Sequence, residues 1–180
     1  MGKRDGDKHQ REPNDFYPTE PKASAVLRSW IGGAWCYEPC AGDGALLDTL
    51  GQLGVVWVGA SDIAPRRSDI AVLDALELTK HHLPEVDLLV TNPPHERKLM
   101  HAMIEHFRTL KPSYLLLPWD WFATQQSHPY LAYCSWVMPI GRMRLITGSP
   151  HQGFDNYAWA RFEQWPTRTT LYTIPGDERE

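Results

Sequence analysis

The chain has 180 residues, 42% of them hydrophobic, and a formal net charge of −4, so it is long enough for one full core and is expected to form a single domain. The acidic balance excludes a general polyanion-binding surface, leaving any nucleic-acid contact to a local basic patch. No apolar run is long enough to cross a bilayer and no secretory leader is recognisable, which predicts a soluble, cytoplasmic protein.

Residues 1–13 are charged and contain Pro and Gly; they read as a disordered tail, as do 176–180, with the folded unit between them at 14–175. A strand over 35–38 (Trp-Cys-Tyr-Glu) runs into the loop Pro39-Cys40-Ala41-Gly42-Asp43-Gly44. A helix follows from Ala45, with Leu46, Leu47, Leu50 and Leu53 giving it one buried face. Gly42 and Gly44 permit positive φ and close approach of the backbone to a ligand. The third glycine of a dinucleotide fingerprint is missing, and so is a Gly-Lys-Ser/Thr, so the loop does not read as an NAD or ATP site. A second strand over 55–60 ends at Ser61-Asp62-Ile63. Its carboxylate falls about twenty residues after the glycines, where an acid suits a ribose diol. The stretch 71–76 adds another acid, Asp74, beside Ala75, fitting the edge of an adenine ring.

The apolar run 86–91 reads as a buried strand, and Asn92-Pro93-Pro94-His95 follows it directly. Two prolines stop the strand and remove backbone donors, leaving carbonyls free to accept. The Asn92 side-chain oxygen is a further acceptor, and His95 a flat ring, together suiting a planar amine. A helix over 98–110 is supported by Leu99, Met103, Phe107 and Leu110 and is ended by Pro112. A strand at 114–117, a short helical or irregular stretch at 125–133, and β-rich segments at 136–140, 142–146, 157–162 and 170–174 complete the chain. Between them lies a polar glycine loop at 147–154. The expected architecture is α/β, a doubly wound Rossmann-like sheet of about seven mostly parallel strands closed by an antiparallel C-terminal hairpin, without a separate target-recognition domain.

With the glycine loop, Asp62, Asp74 and Asn92-Pro93-Pro94 in this order and spacing, the chain resembles the class I S-adenosylmethionine-dependent methyltransferases. Within them it is most similar to small phage and prophage enzymes that methylate the exocyclic N6 of adenine in DNA. The resemblance covers roughly residues 14–165, and the joint occurrence of the two motifs carries it. It implies S-adenosyl-L-methionine as cofactor, held by Tyr17, Thr19, Glu38, Pro39, Ala41, Gly42, Gly44, Asp62, Ile63, Asp74, Ala75 and Asn92. It implies catalysis by Asn92, Pro93, Pro94 and His95, with Asn92 Oδ1 and the Pro93 carbonyl accepting the two amino hydrogens. The implied location is the cytoplasm of a bacterial or phage-infected cell. Two positions depart from the family pattern. His95 stands where Tyr, Phe or Trp stacks on the extruded base, and Glu20 stands where a proline is usual in the opening segment Asp15 to Thr19.

The basic candidates for DNA contact are Arg97 and Lys98 beside the catalytic motif, Arg142 with Arg144 and Arg161 near the C-terminal strands, and Arg66-Arg67 after the ribose acid. Trp119 and Trp121 follow the strand at 114–117, where this fold places its rim, although tryptophans are mostly core residues. Cys36, Cys40 and Cys134 read as free thiols. The histidines read as solvated side chains, with no metal site. The same motif logic leaves three alternatives open: an RNA adenine, a protein glutamine amide, and a cofactor-binding descendant without transfer activity.

Overall fold

The computed structural model describes residues 19–144 and 154–174. The expected tails, Tyr17 and most of the polar glycine loop lie outside the described residues. Two short helices come first, α1 (Pro21–Ala25) and α2 (Arg28–Ile31). Pro21 occupies the first helical position of α1, where a missing N–H costs nothing. Then follow β1 (Trp35–Glu38), α3 (Ala45–Gln52), β2 (Val56–Asp62) and β3 (Ala71–Val72). After two 3-10 turns come β4 (Leu88–Thr91), α4 (Arg97–Leu110), β5 (Ser113–Pro118), α5 (Trp119–Phe122) and α6 (His128–Leu131). Three strands end the described chain: β6 (Cys134–Arg144), β7 (Phe154–Phe162) and β8 (Thr170–Leu171).

The strands form one sheet in the order β3-β2-β1-β4-β5-β7-β6-β8. The pairs from β3 to β5 are parallel, β7 runs antiparallel to both β5 and β6, and β8 pairs parallel with β6. The α/β class and the antiparallel hairpin are as expected, and among the described residues the sheet has eight strands where about seven were expected. β3, at two residues, is too short for a hydrophobic period to register, whereas β8 falls within the β-rich segment expected at 170–174. The segment read as a strand at 136–140 and the described part, 142–144, of the one read at 142–146 belong to one strand, β6. Gly141, at φ 78°, and a register shift between Pro139 and Gly141 bend it without ending its pairing to β7.

Parallel central strands are buried on both faces, and successive side chains divide between two cores. On one face Tyr37, Leu89, Leu115, Leu117, Ala158 and Ala160 pack against Met100, Met103, Ile104 and Phe107 of α4. On the other, Cys36, Leu88, Val90, Tyr114, Leu116 and Trp159 pack against Leu27, Ile31, Leu46 and Leu50. Trp159 is fully buried and its Nε1 donates to the Ala23 carbonyl at 2.8 Å, fastening α1 to the sheet. Helix α4 begins one residue earlier than expected because the Glu96 side chain accepts the Leu99 amide at 2.9 Å. Among the described residues no helix is long and apolar enough to cross a membrane.

Candidate active site

Parallel alignment brings the C-terminal ends of β1, β2 and β4 to one edge of the sheet. Because β1 lies between β2 and β4, the winding reverses beside it, which opens a crevice at that edge. The glycine loop leaves β1 there, Asp62 ends β2 there, and Asn92 follows β4 there.

Backbone and carboxylate contacts pin the glycine loop to the end of β2. The Ala41 amide donates to the Ser61 carbonyl at 2.9 Å and the Arg66 amide to the Gly42 carbonyl at 2.9 Å. Asp62 Oδ2 accepts the Gly42 amide at 2.8 Å, while Oδ1 accepts the Ala64 amide at 2.8 Å. An ionised carboxylate has about four lone-pair sites, so Asp62 retains capacity for hydroxyls. Gly42 and Gly44 adopt φ 54° and 81°, the left-handed region the sequence led us to expect.

Glu38, the last residue of β1, is 2% exposed, and its Oε2 has no hydrogen-bond partner among the described residues. Burial first, then the charges of Asp62 and Asp43, push its carboxyl well above the ordinary range; Arg67 pulls the other way. Cys40 lies against the Thr91 side chain and is raised chiefly by burial, with Asp62, Glu38 and Asp74 all contributing. The three predicted cofactor acids therefore converge on one loop. The Leu73 amide donates to the Asp62 carbonyl at 3.0 Å, bringing Asp74 in behind β2, and Asp74 Oδ1 caps the following turn through the Leu76 amide at 2.9 Å. Ile63, 60% exposed, offers an apolar surface beside Asp62. Pro39, Ala41 and Ala75 are buried in the walls, and Thr19 is buried near the start of the described chain.

Pro93 is buried and Asn92 and Pro94 are half-buried, with Asn92 Oδ1 shielded from solvent. His95 folds back over β5: its Nε2 lies 3.3 Å from the Leu116 carbonyl, and its ring centroid is 5.4 Å from that of Tyr157, tilted by 33°. Arg97 donates to Gln126 Oε1 at 3.0 Å, and Lys98 is exposed on the first turn of α4. Trp119 is half-buried against Phe122. The register Pro118↔Tyr157↔Gly141 brings exposed Arg142 to the same sheet edge. Trp121 belongs to the core at 3% exposure, its Nε1 donating to His101 Nε2 at 2.9 Å.

Arg67, one of the basic candidates, is engaged by two carboxylates. Its Nη1 donates to Asp48 Oδ1 at 2.7 Å, and its Nε and Nη2 grip Asp69 at 3.0 and 2.6 Å. The guanidinium lies so close over Gly44 that a Cβ there would fall 2.2 Å from Nη1. Asp69, two positions on, was a visible signal; Asp48, on α3, was not. Arg161 likewise pairs with Glu163 at 2.8 Å. His101 and His106 are half-buried and hydrogen-bonded where solvated side chains were expected, His106 Nε2 meeting the Leu78 carbonyl at 2.8 Å; His82 is exposed as expected, its Nδ1 accepting the Thr79 amide at 3.0 Å.

No protein-family profile and no curated protein matches the chain. Among solved structures, a candidate RNA methyltransferase from Pyrococcus horikoshii superposes with a TM-score of 0.63 at 15% identity, over 88% of this chain and 92% of that one. The chain has the class I methyltransferase fold. A candidate class I S-adenosylmethionine-dependent methyltransferase from Listeria monocytogenes gives 0.58 at 13% identity, over 93% and 68%. The modification subunit of a candidate type I restriction enzyme from Vibrio vulnificus gives 0.52 at 12% identity. It is matched over 98% of this chain, which spans about half of that protein at 49%. At these identities the likeness is one of fold, and the class I methyltransferase sheet order accounts for it.

Proposed function

We propose that this protein transfers the methyl group of S-adenosylmethionine to the exocyclic N6 of adenine in DNA. The carrying observation is that Asn92 leaves β4 directly beside β1, whose end bears the glycine loop, so amine acceptors and ligand cradle stand on neighbouring strands. The residues present fit the cofactor. Asp62 has lone pairs left for a ribose diol, Ile63 an apolar surface for a purine, and Asp74 a second carboxylate oxygen for the purine's amino edge. Glu38 offers a buried carboxyl whose Oε2 has no hydrogen-bond partner among the described residues. The cofactor supplies an electrophilic methyl on a sulfonium.

In this reading the chain provides position and charge in place of a strong base. Asn92 Oδ1 and the Pro93 carbonyl accept the two amino hydrogens and direct the nitrogen lone pair toward the methyl. Pro93 and Pro94 keep that loop rigid, because their φ angles are set and they have no amide of their own to satisfy. His95, anchored by the Leu116 carbonyl and Tyr157, contacts the base. Arg97, Lys98, Trp119 and Arg142 flank the strand that enters the site. The likeness to a modification subunit supports DNA as substrate.

RNA adenine is the second reading, favoured by the match that covers nearly the whole of both chains. The deciding experiment is transfer of labelled methyl to unmethylated genomic DNA and to bulk RNA, followed by nucleoside analysis. N6-methyladenine in DNA supports the proposal. Label confined to RNA moves the substrate, and label in neither, with the cofactor bound, turns attention to protein amides or a descendant that binds without transferring.

A further inference from the structure

Among the described residues Glu38 is the one buried carboxyl at the crevice, and its surroundings are unusual for an anion. Its Oε2 has no partner among the described residues, and it sits 2% exposed at the end of β1. Among the described residues the charged groups facing it are Asp62 at the end of β2, Asp43 in the glycine loop, Asp48 on α3 and a single cation, Arg67. That cation is already committed to Asp48 and Asp69. A buried carboxylate among three other acids, with its nearest cation spent elsewhere, is stable only if it holds a proton or receives a positive charge from outside.

We propose that Glu38 is protonated in the ligand-free protein and gives up its proton to solvent when a cationic cofactor enters, so that ligand binding and proton release are one coupled step. This rests on the reading of the crevice as an S-adenosylmethionine site. In the step the Glu38 O–H bond breaks, the proton leaves to bulk water, and the carboxylate that remains is balanced by positive charge on the ligand. No other bond changes. Burial and the neighbouring acids raise this carboxyl, which places the linkage above the ordinary glutamic acid range. The consequence is selective: a ligand with a cationic centre is favoured over a neutral adenosine of the same shape.

The test is calorimetric titration of the full chain with S-adenosylmethionine in buffers of different ionisation enthalpy, beside 5′-methylthioadenosine, which lacks both the sulfonium and the amino acid. The expected result, at a pH below the Glu38 transition, is release of about one proton per S-adenosylmethionine bound and none with methylthioadenosine. Affinity for S-adenosylmethionine should rise up to about tenfold per pH unit until Glu38 is already ionised in the free protein. Glu38→Gln should remove both the proton release and the pH dependence and bind at least about tenfold more weakly at the pH of tightest wild-type binding. The unliganded Glu38→Gln protein should fold and lose the wild type's decline in melting temperature as pH rises, a readout that needs no ligand. Binding of S-adenosylmethionine without proton release, or equal release with methylthioadenosine, overturns the coupling and leaves the cofactor reading standing. Absence of S-adenosylmethionine binding overturns both.

Discussion

Asp62 Oδ2 accepts the Gly42 amide at 2.8 Å, so the acid expected to hold a ribose also holds the loop beneath it. Its other oxygen is taken by the Ala64 amide. Asp62→Ala strands the part-buried Gly42 amide while water takes over the exposed Ala64 amide, and the expected loss is about 1–3 kcal/mol of stability for the group left unsatisfied. Cofactor affinity should fall at least tenfold by calorimetry, on the order of the loss of one charged hydrogen bond. Asp62→Asn, which keeps one acceptor, should recover part of the stability and little of the affinity.

Gly44 bears a double constraint, a φ of 81° and the Arg67 guanidinium overhead. Gly44→Ala meets the left-handed penalty of about 1–2 kcal/mol and must also displace Arg67 from Asp48. Gly33 has nearly the same φ, 82°, with nothing within 4 Å of an added Cβ. Gly33→Ala therefore isolates the backbone part. Chemical denaturation of the two variants should show Gly44→Ala the more destabilised, and Arg67→Ala should shrink the difference.

Asn92 supplies the side-chain acceptor at the end of β4. Asn92→Ala should lower the rate of methyl transfer on the order of 100- to 1,000-fold, the usual effect of losing one group positioned for a transition state. Cofactor affinity, read by calorimetry, should change little. Full activity in this variant would remove Asn92 from the mechanism.

His101 must be neutral for its Nε2 to accept the Trp121 indole N–H at 2.9 Å, and its ring is stacked on Tyr130 at 4.4 Å. Burial first, then the charge of Arg97, lower its affinity for a proton below the ordinary imidazole value of 6.5, with Glu96 opposing. A base depressed on folding stabilises above its unfolded value and loses that contribution as pH falls through its folded value. The melting temperature should therefore drop as pH falls below about 6.5. His101→Gln, which keeps an acceptor and does not titrate, should flatten this limb of the profile.

Arg97 and Lys98 lie at the start of α4 beside the Asn-Pro-Pro loop. If they meet phosphates, replacing both by alanine should reduce the slope of log affinity against log salt for an oligonucleotide by about 1–2. Cofactor binding should be unaffected. An unchanged slope would assign Arg97 solely to its contact with Gln126.

Legibility in the sequence followed the range of each interaction. Helix α4 was readable because a run of apolar positions at helical spacing and a following proline are local signals. The strands β1, β2, β4 and β5 were readable as short apolar runs ended by turn residues. β3 was not, since its two residues carry no period, whereas β8 lies inside the β-rich segment read at 170–174. β6 was read as two pieces because Gly141 is a break signal locally, whereas pairing with β7 on both sides of the bend holds the strand together.

The site divides in the same way. The sequence by itself determined which residues could carry the chemistry: Gly42 and Gly44 by their conformational freedom, Asp62 and Asp74 by their place after strands, and Asn92-Pro93-Pro94 by its acceptors. Only the tertiary structure decided what each is bound to. It turned Arg67 from a free cation into a strap over Gly44, gave His95 the Leu116 carbonyl and Tyr157 as neighbours, and enclosed Glu38 among acids. Backbone freedom and hydrogen-bonding capacity are properties of a residue and its immediate neighbours. Burial, charge environment and ion pairing belong to segments far apart in the chain that meet only when the sheet assembles.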